Sequence, residues 1–558
     1  MLKELKSNLE SLLNASMQEF TGNVDGLSKI FLEPPTDVIY GEFTTNIALK
    51  SAKLFKKPPL VIANELQKVF LENIKNSNHS SDIEKIEVKT PGFINFYLTP
   101  FAVSRVIDQL FDENENYGRD TFGNKEKIQI EFVSANPTGP LSIAHARQAA
   151  VGDALGNILE FLDFEVTKEF YLNDEGNQIN LLGESIKCRA NEILGQAVEL
   201  PENGYQGEYI RDMAAEFMKK NGIKILKDIE KFSAADWRDF GVNYLLDVIK
   251  KELNDFRVYF DVWAHQSNIG TENNILQLLE TLRAKGVTYE KDGALWFRST
   301  DFGDDKDRVL RKSDGAYTYL TPDIVYHKDK FERGFSKVYN LWGPDHHGYI
   351  PRLKASVQAL GYDKNCLSVI IVQLSTLYKN GEVLSMSTRK GQYISLREVM
   401  DEVGVDAARF FFMMRHVSAH LDFDLELAKK ETSENPVFYI QYAHARIHSI
   451  NVKAKDAGLT PKDKNFKLLN SEEELILIKK IGSFNDSLLM CYSQMDPYPL
   501  VNYLQELANC FHKFYDKHKV INEANSELSR ERLGLANATK IALANGLGLL
   551  GLTTPEKM

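Results

Sequence analysis

The sequence has few cysteines and lacks any long apolar run. Its four cysteines, Cys188, Cys366, Cys491 and Cys510, lie far apart in 558 residues and form no Cys-x-x-Cys pair. This spacing argues against a disulfide framework or a cysteine-ligated zinc site, and it predicts reduced thiols in a cytoplasmic protein. Because no stretch of about 18 apolar residues occurs, no membrane span is expected. The amphipathic N-terminus also lacks the apolar segment of a secretory signal.

Positive charge is not in excess either. The formal net charge is −11, whereas proteins that bind nucleic acids non-specifically are usually basic. Short basic runs do occur, at Lys56-Lys57, Lys219-Lys220 and His512-Lys513. An acidic body with such runs can still contact RNA through some of its faces. Since 558 residues exceed what one core can hold, we expect about two to four domains.

Three segments differ in their residue patterns. Residues 1–115 combine helical patterns with two strand-like runs around a Pro91-Gly92 turn, which predicts a small α+β domain. Residues 116–405 predict an α/β domain with a largely helical insertion around 180–285. From 406 to 558 the apolar spacing is helical almost throughout, which predicts an all-α bundle.

A strand–helix–strand pattern opens the middle segment. Ile128, Ile130 and Phe132 alternate with polar residues, a helical pattern covers 151–162, and 164–172 again resembles a strand. This order predicts a βαβ unit and therefore a parallel sheet. Strand-like runs at 337–342 and 368–373 are candidates for further strands.

The turn between this first strand and its helix has the sequence SANPTGPLSIAHAR, residues 134–147. A helix that starts after such a turn presents free N–H groups and the positive end of its dipole, which suits an anion. Ser142 is placed as the N-cap, and we expect His145 and Arg147 to face a phosphate chain. Taken alone, the pattern is equally that of an ordinary capped helix.

Several ordered segments resemble one enzyme family. The frame SANPTGPL…HAR…GDAL resembles the HIGH signature of class I aminoacyl-tRNA synthetases and, within that class, of the arginyl-tRNA synthetases. Downstream, SMSTRKG at 385–391 occupies the place of the KMSKS loop. The resemblance continues through VIYGEFTTNIALKSAKLFKKPP, EFYLNDEGNQI, DKDRVLRKSDGAYTYLTPDIVYH, NPVFYIQYAHARI and ANGLGLLGLTTPEKM. Because these segments keep their order over nearly the whole chain, together they are far more specific than either signature alone.

The resemblance implies a fold and an activity. The fold is a Rossmann-type parallel-sheet catalytic core with an N-terminal α+β domain that contacts tRNA and a C-terminal all-α bundle that binds the anticodon. The activity is that of an arginine–tRNA ligase acting on L-arginine, ATP with Mg²⁺, and tRNA(Arg), with no tightly bound cofactor. It further implies a cytoplasmic monomer, activation of arginine only with tRNA bound, and attachment through the 2′-hydroxyl.

The resemblance also assigns the ATP site. The catalytic roles fall on His145, Ser142, Arg389 and Lys390. The ATP signature segment comprises Ala135, Asn136, Pro137, Thr138, Gly139, Pro140, Leu141, Ser142, Ile143, Ala144 and His145, and the second signature loop comprises Ser385, Met386, Ser387, Thr388 and Arg389. Ser142 and Ala144 replace the family's first histidine and its glycine, and Ser385 and Thr388 replace both lysines of the loop. The lysine that compensates in some relatives is absent, because Gly139 stands there. Positive charge would then come from Arg389 or Lys390.

An arginine pocket needs acidic side chains in its interior, because a guanidinium pairs best with carboxylates. The resemblance places the following residues at arginine: Glu131, Ser134, Asn136, Tyr319, Asp323 and Asp345. It places Asp345, His346 and His347 at ATP. Taken singly, each of these residues has an ordinary role as a strand-end or loop residue. The adjacent histidines can also suggest a metal, but no third ligand stands at regular spacing, and we expect none.

Aromatic residues allow packing or recognition. We expect Trp263, Trp296 and Trp342 to lie in the core. In the C-terminal segment Phe438 and Ile440 are predicted to be core residues. The remaining candidates can either pack or contact RNA bases, namely Tyr439, Tyr442, His444 and Arg446.

The sequence alone leaves two alternative functions open. A cysteine-charging member of the class is disfavoured by the lack of zinc-ligand cysteines and by the acidic pair Glu131 and Asp323. An inactive relative that binds tRNA or arginine as a regulator is favoured by the four departures from the signatures. Against it, His145, Asp323 and the downstream cations are all present.

Overall fold

The computed structural model describes residues 2–22, 29–33, 35, 40–384, 394–522 and 524–558. The loop at 385–391 lies outside these ranges, so the roles expected of Ser385 to Lys390 stay predictions. Within the described ranges, no helix combines the length and the apolarity that crossing a bilayer requires.

An α+β unit forms the N-terminal part of the chain. Its elements are α1 (Leu2–Thr21), β1 (Phe43–Thr45), α2 (Ile47–Phe55), α3 (Pro59–Lys75), β2 (Ile83–Lys89), β3 (Phe93–Leu98) and α4 (Pro100–Glu113), followed by a 3-10 turn (Asn114–Asn116). The strands form an antiparallel sheet in the order β1-β3-β2. The two strands predicted around Pro91-Gly92 are thereby confirmed. Phe70 of α3 packs edge-on against Phe96 of β3, with ring centroids 5.4 Å apart, so helix and sheet share one core.

The middle of the chain alternates strands and helices. In chain order its elements are β4 (Lys127–Glu131), α5 (Ile143–Phe161), β5 (Glu165–Leu172), α6 (Asn177–Ile193), α7 (Glu208–Asn221), α8 (Leu226–Ile229), α9 (Ala234–Asp255), β6 (Val262–His265), α10 (Gln266–Ile269), α11 (Glu272–Ala284), β7 (Thr288–Lys291), β8 (Ala294–Phe297), a 3-10 turn (Ser299–Phe302), β9 (Arg308–Arg311), α12 (Leu320–Glu332), β10 (Lys337–Trp342), a 3-10 turn (Pro344–Tyr349), α13 (Ile350–Ala359), β11 (Leu367–Ile371), β12 (Ser375–Lys379), β13 (Glu382–Val383), α14 (Leu396–Val403), α15 (Val405–Phe412), β14 (Leu421–Asp424) and α16 (Leu425–Ala428).

A parallel sheet organises this part, in the order β11-β10-β4-β5-β6. β4 and β5 lie side by side and α5 connects them, so the predicted βαβ unit and the Rossmann-type core are confirmed. α5 lies very close to the sheet. A Cβ atom on Gly152 would stand 2.3 Å from Cγ of Phe132, so only glycine permits this approach.

The segment predicted as a helical insertion contains a core strand. Helices α6 to α9 bury a separate apolar cluster around Trp237, Phe217 and Leu182. β6, however, extends the parallel sheet beside β5. With four residues, β6 is too short to show a clear alternation of apolar and polar positions, which explains why the sequence pattern did not indicate it.

A second small sheet was also not predicted. β7, β8 and β9 form an antiparallel sheet in that order. The tryptophans expected in the core are half-buried and pack against other rings. Trp296 of β8 stacks on Tyr289 with centroids 6.2 Å apart, and Trp263 stacks on Phe170 at 4.6 Å. Trp342 lies against Tyr349 at 6.1 Å.

Helices dominate the C-terminal part. They are α17 (Pro436–Asp456), α18 (Glu472–Gly482), α19 (Phe484–Gln494), α20 (Tyr498–Lys517) and α21 (Ser526–Leu549), and they confirm the expected all-α bundle. Before the bundle, β14 interrupts the helical run by pairing in parallel with β12.

Two histidines of the bundle pack in its interior. His512, grouped with Lys513 as a basic run, is buried, and its ring centroid lies 4.4 Å from that of Tyr439. His444, a candidate RNA contact, is buried and its Nδ1 lies 2.9 Å from the carbonyl of Pro555. Their burial removes both from RNA contact. Ile440 is buried as predicted, whereas Phe438 is half-buried and stacks on Tyr442.

A buried charge cluster joins α5 to the C-terminal end of the chain. Asp153 of α5 accepts from Lys168 at 2.9 Å and from Arg409 of α15 at 2.5 Å, and all three side chains are nearly inaccessible to water. Arg409 also donates to the carbonyls of Phe256 at 2.8 Å and Leu550 at 3.0 Å. One guanidinium therefore holds three distant parts of the chain together.

We predict that Asp153→Asn destabilises the fold strongly. The substitution leaves two cations buried without a counter-charge, and breaking a buried pair in this way costs about 3–5 kcal/mol. Urea or thermal unfolding followed by circular dichroism measures the effect. The matched control is Glu434→Gln, which breaks the exposed pair with Lys430 and leaves the midpoint unchanged. Equal midpoints for the two variants would contradict the assigned importance of the cluster.

Candidate active site at the carboxyl edge of the parallel sheet

A strained turn follows β4. Val133 and Ser134 have backbone φ angles of 67° and 40°. Residues other than glycine rarely adopt positive φ, and β-branched residues such as valine adopt it least often. Such residues persist only where surrounding contacts hold them, often at functional sites. Here the turn directs Ser134 Oγ back to Oε1 of Glu131 at 3.0 Å, while Ser134 Oγ accepts from the Tyr171 N–H at 3.1 Å. The predicted pocket residues Glu131 and Ser134 are thus in contact.

α5 begins at the predicted cap. Ser142 has extended backbone, and its N–H donates to Nδ1 of His145 at 3.2 Å. Because Nδ1 accepts this bond, the ring proton sits on Nε2. Removal from water lowers the pKa of His145 to about 4, although the charge of Asp345 acts in the opposite direction. At neutral pH His145 is therefore an uncharged donor through Nε2, at the positive end of the helix dipole.

Arg147 does not face a phosphate chain, contrary to the expectation from the sequence. Its side chain is fully buried and donates to the carbonyls of Gln373 at 2.8 Å, Ala419 at 2.9 Å and His416 at 3.0 Å. Two positions after His145, the helix has turned Arg147 inward, away from the free N–H groups of its first turn. The guanidinium instead ties α5 to the segment that enters β12.

The residues after the second signature loop touch the first signature. Leu396 N–H donates to the carbonyl of Leu141 at 2.7 Å, and Ser395 forms a bridge with Ser142. The described chain before the loop ends just past β13, a neighbour of β12. Both described ends of the loop therefore connect to elements that hold the start of α5.

Asp323 lies in the first turn of α12. Its Oδ2 accepts from the Tyr349 hydroxyl at 2.6 Å. Desolvation raises the pKa of Asp323 to about 6, with a further contribution from the negative charge of Glu131. Tyr319, the predicted pocket wall, precedes the helix and is 76% exposed. A cavity of about 650 Å³ opens beside it, lined in part by Gln266 and Pro322.

Glu131 is buried and already paired. Lys330 of α12 donates to its Oε2 at 2.5 Å, and both side chains are shielded from water. Lys330 was not among the site residues predicted from the sequence. A signal existed, because Asp323, His327 and Lys330 stand at i, i+4 and i+7 and therefore share one face of the helix.

The remaining predicted residues lie at the rim. Asp345, His346 and His347 are exposed in the 3-10 turn that follows β10. The Asn136 side chain donates to Oε1 of Gln178 at 2.8 Å, and the Tyr209 hydroxyl donates to the carbonyl of Thr138 at 2.7 Å. The helical insertion thus supports the signature turn from outside.

Comparison with known proteins gives matches along almost the whole chain. Three family models match in order: the arginyl tRNA synthetase N-terminal domain over residues 4–98, the catalytic domain of class I (R) tRNA synthetases over 106–425, and the DALR anticodon binding domain over 440–558. The arginine–tRNA ligase of Bacillus subtilis strain 168 is 46% identical over 533 residues, which covers 95% of each chain. Arginine–tRNA ligase 1 of Halalkalibacterium halodurans is 44% identical over the full length of both chains.

A solved structure supports the same architecture. The arginyl-tRNA synthetase of Thermus thermophilus superimposes with a TM-score of 0.72, covering 99% of this chain and all of the other, at 20% identity. That likeness concerns the fold, whereas the family follows from the sequence matches. The chain belongs to the arginyl-tRNA synthetases of class I.

Proposed function

We propose that the protein ligates L-arginine to tRNA(Arg) through an arginyl-adenylate, at the expense of ATP. The observation that carries the proposal is the position of Asp323, Glu131 and His145. A carboxylate suited to a guanidinium, Asp323, and the pocket floor at Glu131 lie at the same edge of the sheet as a helix start suited to phosphate. The three matching family models, in order along the chain, support the same conclusion.

The first step makes the adenylate. A carboxylate oxygen of arginine attacks the α-phosphorus of ATP, and the bond to the leaving pyrophosphate breaks. ATP enters with Mg²⁺ as a substrate complex. Catalysis here consists mainly of positioning and of donors aimed at the developing charge. His145 donates a hydrogen bond from Nε2, and the free N–H groups at the start of α5 donate further hydrogen bonds. Arg389 or Lys390 supplies the positive charge.

The arginine pocket works by charge and shape. The Asp323 carboxylate receives the guanidinium, and Tyr319 closes over the aliphatic stem. Ser134, Asn136 and Asp345 meet the polar backbone end of the amino acid. Glu131 forms the floor of the pocket between β4 and α12. Asp345 with His346 and His347 also lies at the ribose or base of ATP.

In the second step the 2′-hydroxyl of the terminal ribose of tRNA attacks the arginyl carbonyl carbon and loses its proton, the bond to the phosphate breaks, and AMP leaves. The cavity beside Tyr319 leaves room for that end of the RNA. We assign the tRNA body to the N-terminal α+β domain and the anticodon to the C-terminal helices. Exposed lysines such as Lys56, Lys57 and Lys513 supply local positive charge on an acidic body. The proposed working form is a monomer in the cytoplasm.

Arginine-dependent ATP–pyrophosphate exchange tests the function. We expect exchange with arginine, MgATP and tRNA(Arg) together, and only background exchange without tRNA. Citrulline, a neutral isostere of arginine, supports no exchange because it cannot pair with Asp323. Background exchange in the complete mixture would refute the enzymatic proposal, and binding of tRNA without exchange would favour a regulator.

Asp323 predicts a dependence of arginine use on pH. Its carboxylate must be charged to hold a guanidinium, and a raised pKa near 6 means that protonation sets in well above the usual range near 4. The kcat/KM for arginine should therefore fall about tenfold per pH unit below pH 6. His145, with a pKa of about 4, stays neutral over this window. Steady-state exchange between pH 5 and 8 measures the profile.

The control for this profile is Asp323→Asn. We expect the arginine KM to rise by about 100-fold or more, since a buried charged hydrogen bond is lost. The inflection near pH 6 should vanish in the variant. Unchanged affinity for tRNA separates this loss from misfolding. A variant that keeps the inflection would assign it to another group.

His145→Asn separates donation from folding. The shorter amide can still accept from the Ser142 N–H, so the start of α5 is preserved, but nothing replaces the Nε2 donor. Removing one donor to a developing negative charge lowers kcat by about 100- to 1000-fold. Single-turnover adenylate formation measures the rate. A loss confined to the ATP KM would contradict the role at the transition state.

A further inference from the structure

A chain of hydrogen bonds runs beneath the proposed arginine pocket. Besides Glu131, Lys330 contacts Oδ1 of Asn340 at 3.1 Å, and its ammonium lies 4.3 Å from the ring centroid of Tyr326. Nδ2 of Asn340 lies 2.9 Å from Nε2 of His327, and Nδ1 of His327 lies 2.8 Å from the carbonyl oxygen of Asp323. The chain therefore joins the two carboxylate-bearing residues through buried side chains.

The direction of each bond follows from Lys330. An ammonium can only donate, so Oδ1 of Asn340 accepts and Nδ2 donates to His327. His327 then accepts at Nε2 and donates from Nδ1 to the Asp323 carbonyl. Burial and the nearby Lys330 lower the pKa of His327 to about 3, which agrees with a neutral ring. No second arrangement satisfies all four groups, so the network has a single orientation.

The same contacts decide how much charge faces the pocket. Lys330 balances Glu131, and Arg333 balances the buried Glu169 with bonds of 2.7 and 3.0 Å. Among the described residues, Asp323 has no cation within ion-pair distance. Of Glu131, Glu169 and Asp323, it is therefore Asp323 that presents an uncompensated negative charge to a ligand whose side chain carries one delocalised positive charge.

We propose that Lys330 is a positioning residue for arginine recognition: it orients Glu131, and Asn340, linked through His327 to the first turn of α12, holds the Lys330 ammonium in place. The proposal rests on the pocket assigned under the proposed function. Lys330 itself touches no substrate. Its effect passes through Glu131 and must disappear when Glu131 no longer needs a charged partner.

A double-mutant cycle tests this dependence. The variants are Lys330→Met, Glu131→Gln and the combination, and the matched control is Lys328→Met, which removes an ion pair with Glu332 on the same helix. Each is assayed with saturating tRNA(Arg) for the KM of arginine and of ATP. Thermal unfolding of each variant is recorded as well.

We expect Lys330→Met and Glu131→Gln each to raise the arginine KM by about tenfold or more. The ATP KM should stay within about twofold, because the nucleotide end of the site is untouched. The double variant should match Glu131→Gln alone and should melt at a higher temperature than Lys330→Met, since no buried carboxylate is left unpaired. Lys328→Met should resemble the unaltered protein.

Other outcomes overturn the proposal. Effects on the arginine KM that multiply in the double variant mean that Lys330 acts independently of Glu131. Equal changes in the KM of arginine and ATP mean a general structural role. If Lys330→Met does not fold, the arginine KM of the double variant, compared with that of Glu131→Gln alone, still shows whether Lys330 acts through Glu131. An unchanged arginine KM in Glu131→Gln refutes the assignment of the pocket and with it the role of Lys330. An unchanged arginine KM in Lys330→Met alone refutes only the role of Lys330.

Discussion

The position of β4 in the middle of the parallel sheet is the constraint on which the rest of the active site depends. β4 pairs with β10 on one side and β5 on the other. Because parallel strands end at the same edge, the residues that follow β4, β5 and β10 meet there. Glu131, the strained turn at Val133 and the start of α5 come from the first of these strands. The carboxyl end of β10 adds Asp345.

Buried charge is matched in a way that the overall composition does not reveal. The net charge is strongly negative, yet two interior carboxylates at the site are each paired with a cation, Glu131 with Lys330 and Glu169 with Arg333. Removing either partner of such a pair costs more than the pair contributes. Recognition of a cationic amino acid can then depend on a carboxylate that is left without one, and Asp323 fills that position.

Prediction from sequence succeeded where periodicity was long and where ordered motifs fixed the family. The βαβ unit, the N-terminal strands and the helical bundle all have long patterns, and the cap at Ser142 follows from local residue chemistry. Prediction failed where tertiary packing decides. Arg147 and His512 are polar residues that packing turns inward, which no local pattern indicates. Lys330 was missed because its partner, Glu131, lies 199 positions away.

The bonds of Arg409 have a consequence for how the protein is made. Asp153 and Arg409 are 256 positions apart, and the carbonyl of Leu550 lies 141 positions beyond Arg409. During synthesis Asp153 emerges long before Arg409, so until then only Lys168, 15 positions later, is available to pair with its carboxylate. The Arg409 guanidinium can reach all of these acceptors only after Leu550 has been synthesised. The polypeptide thus completes its catalytic half after its anticodon-binding half has emerged, although the order of the domains along the chain is the reverse.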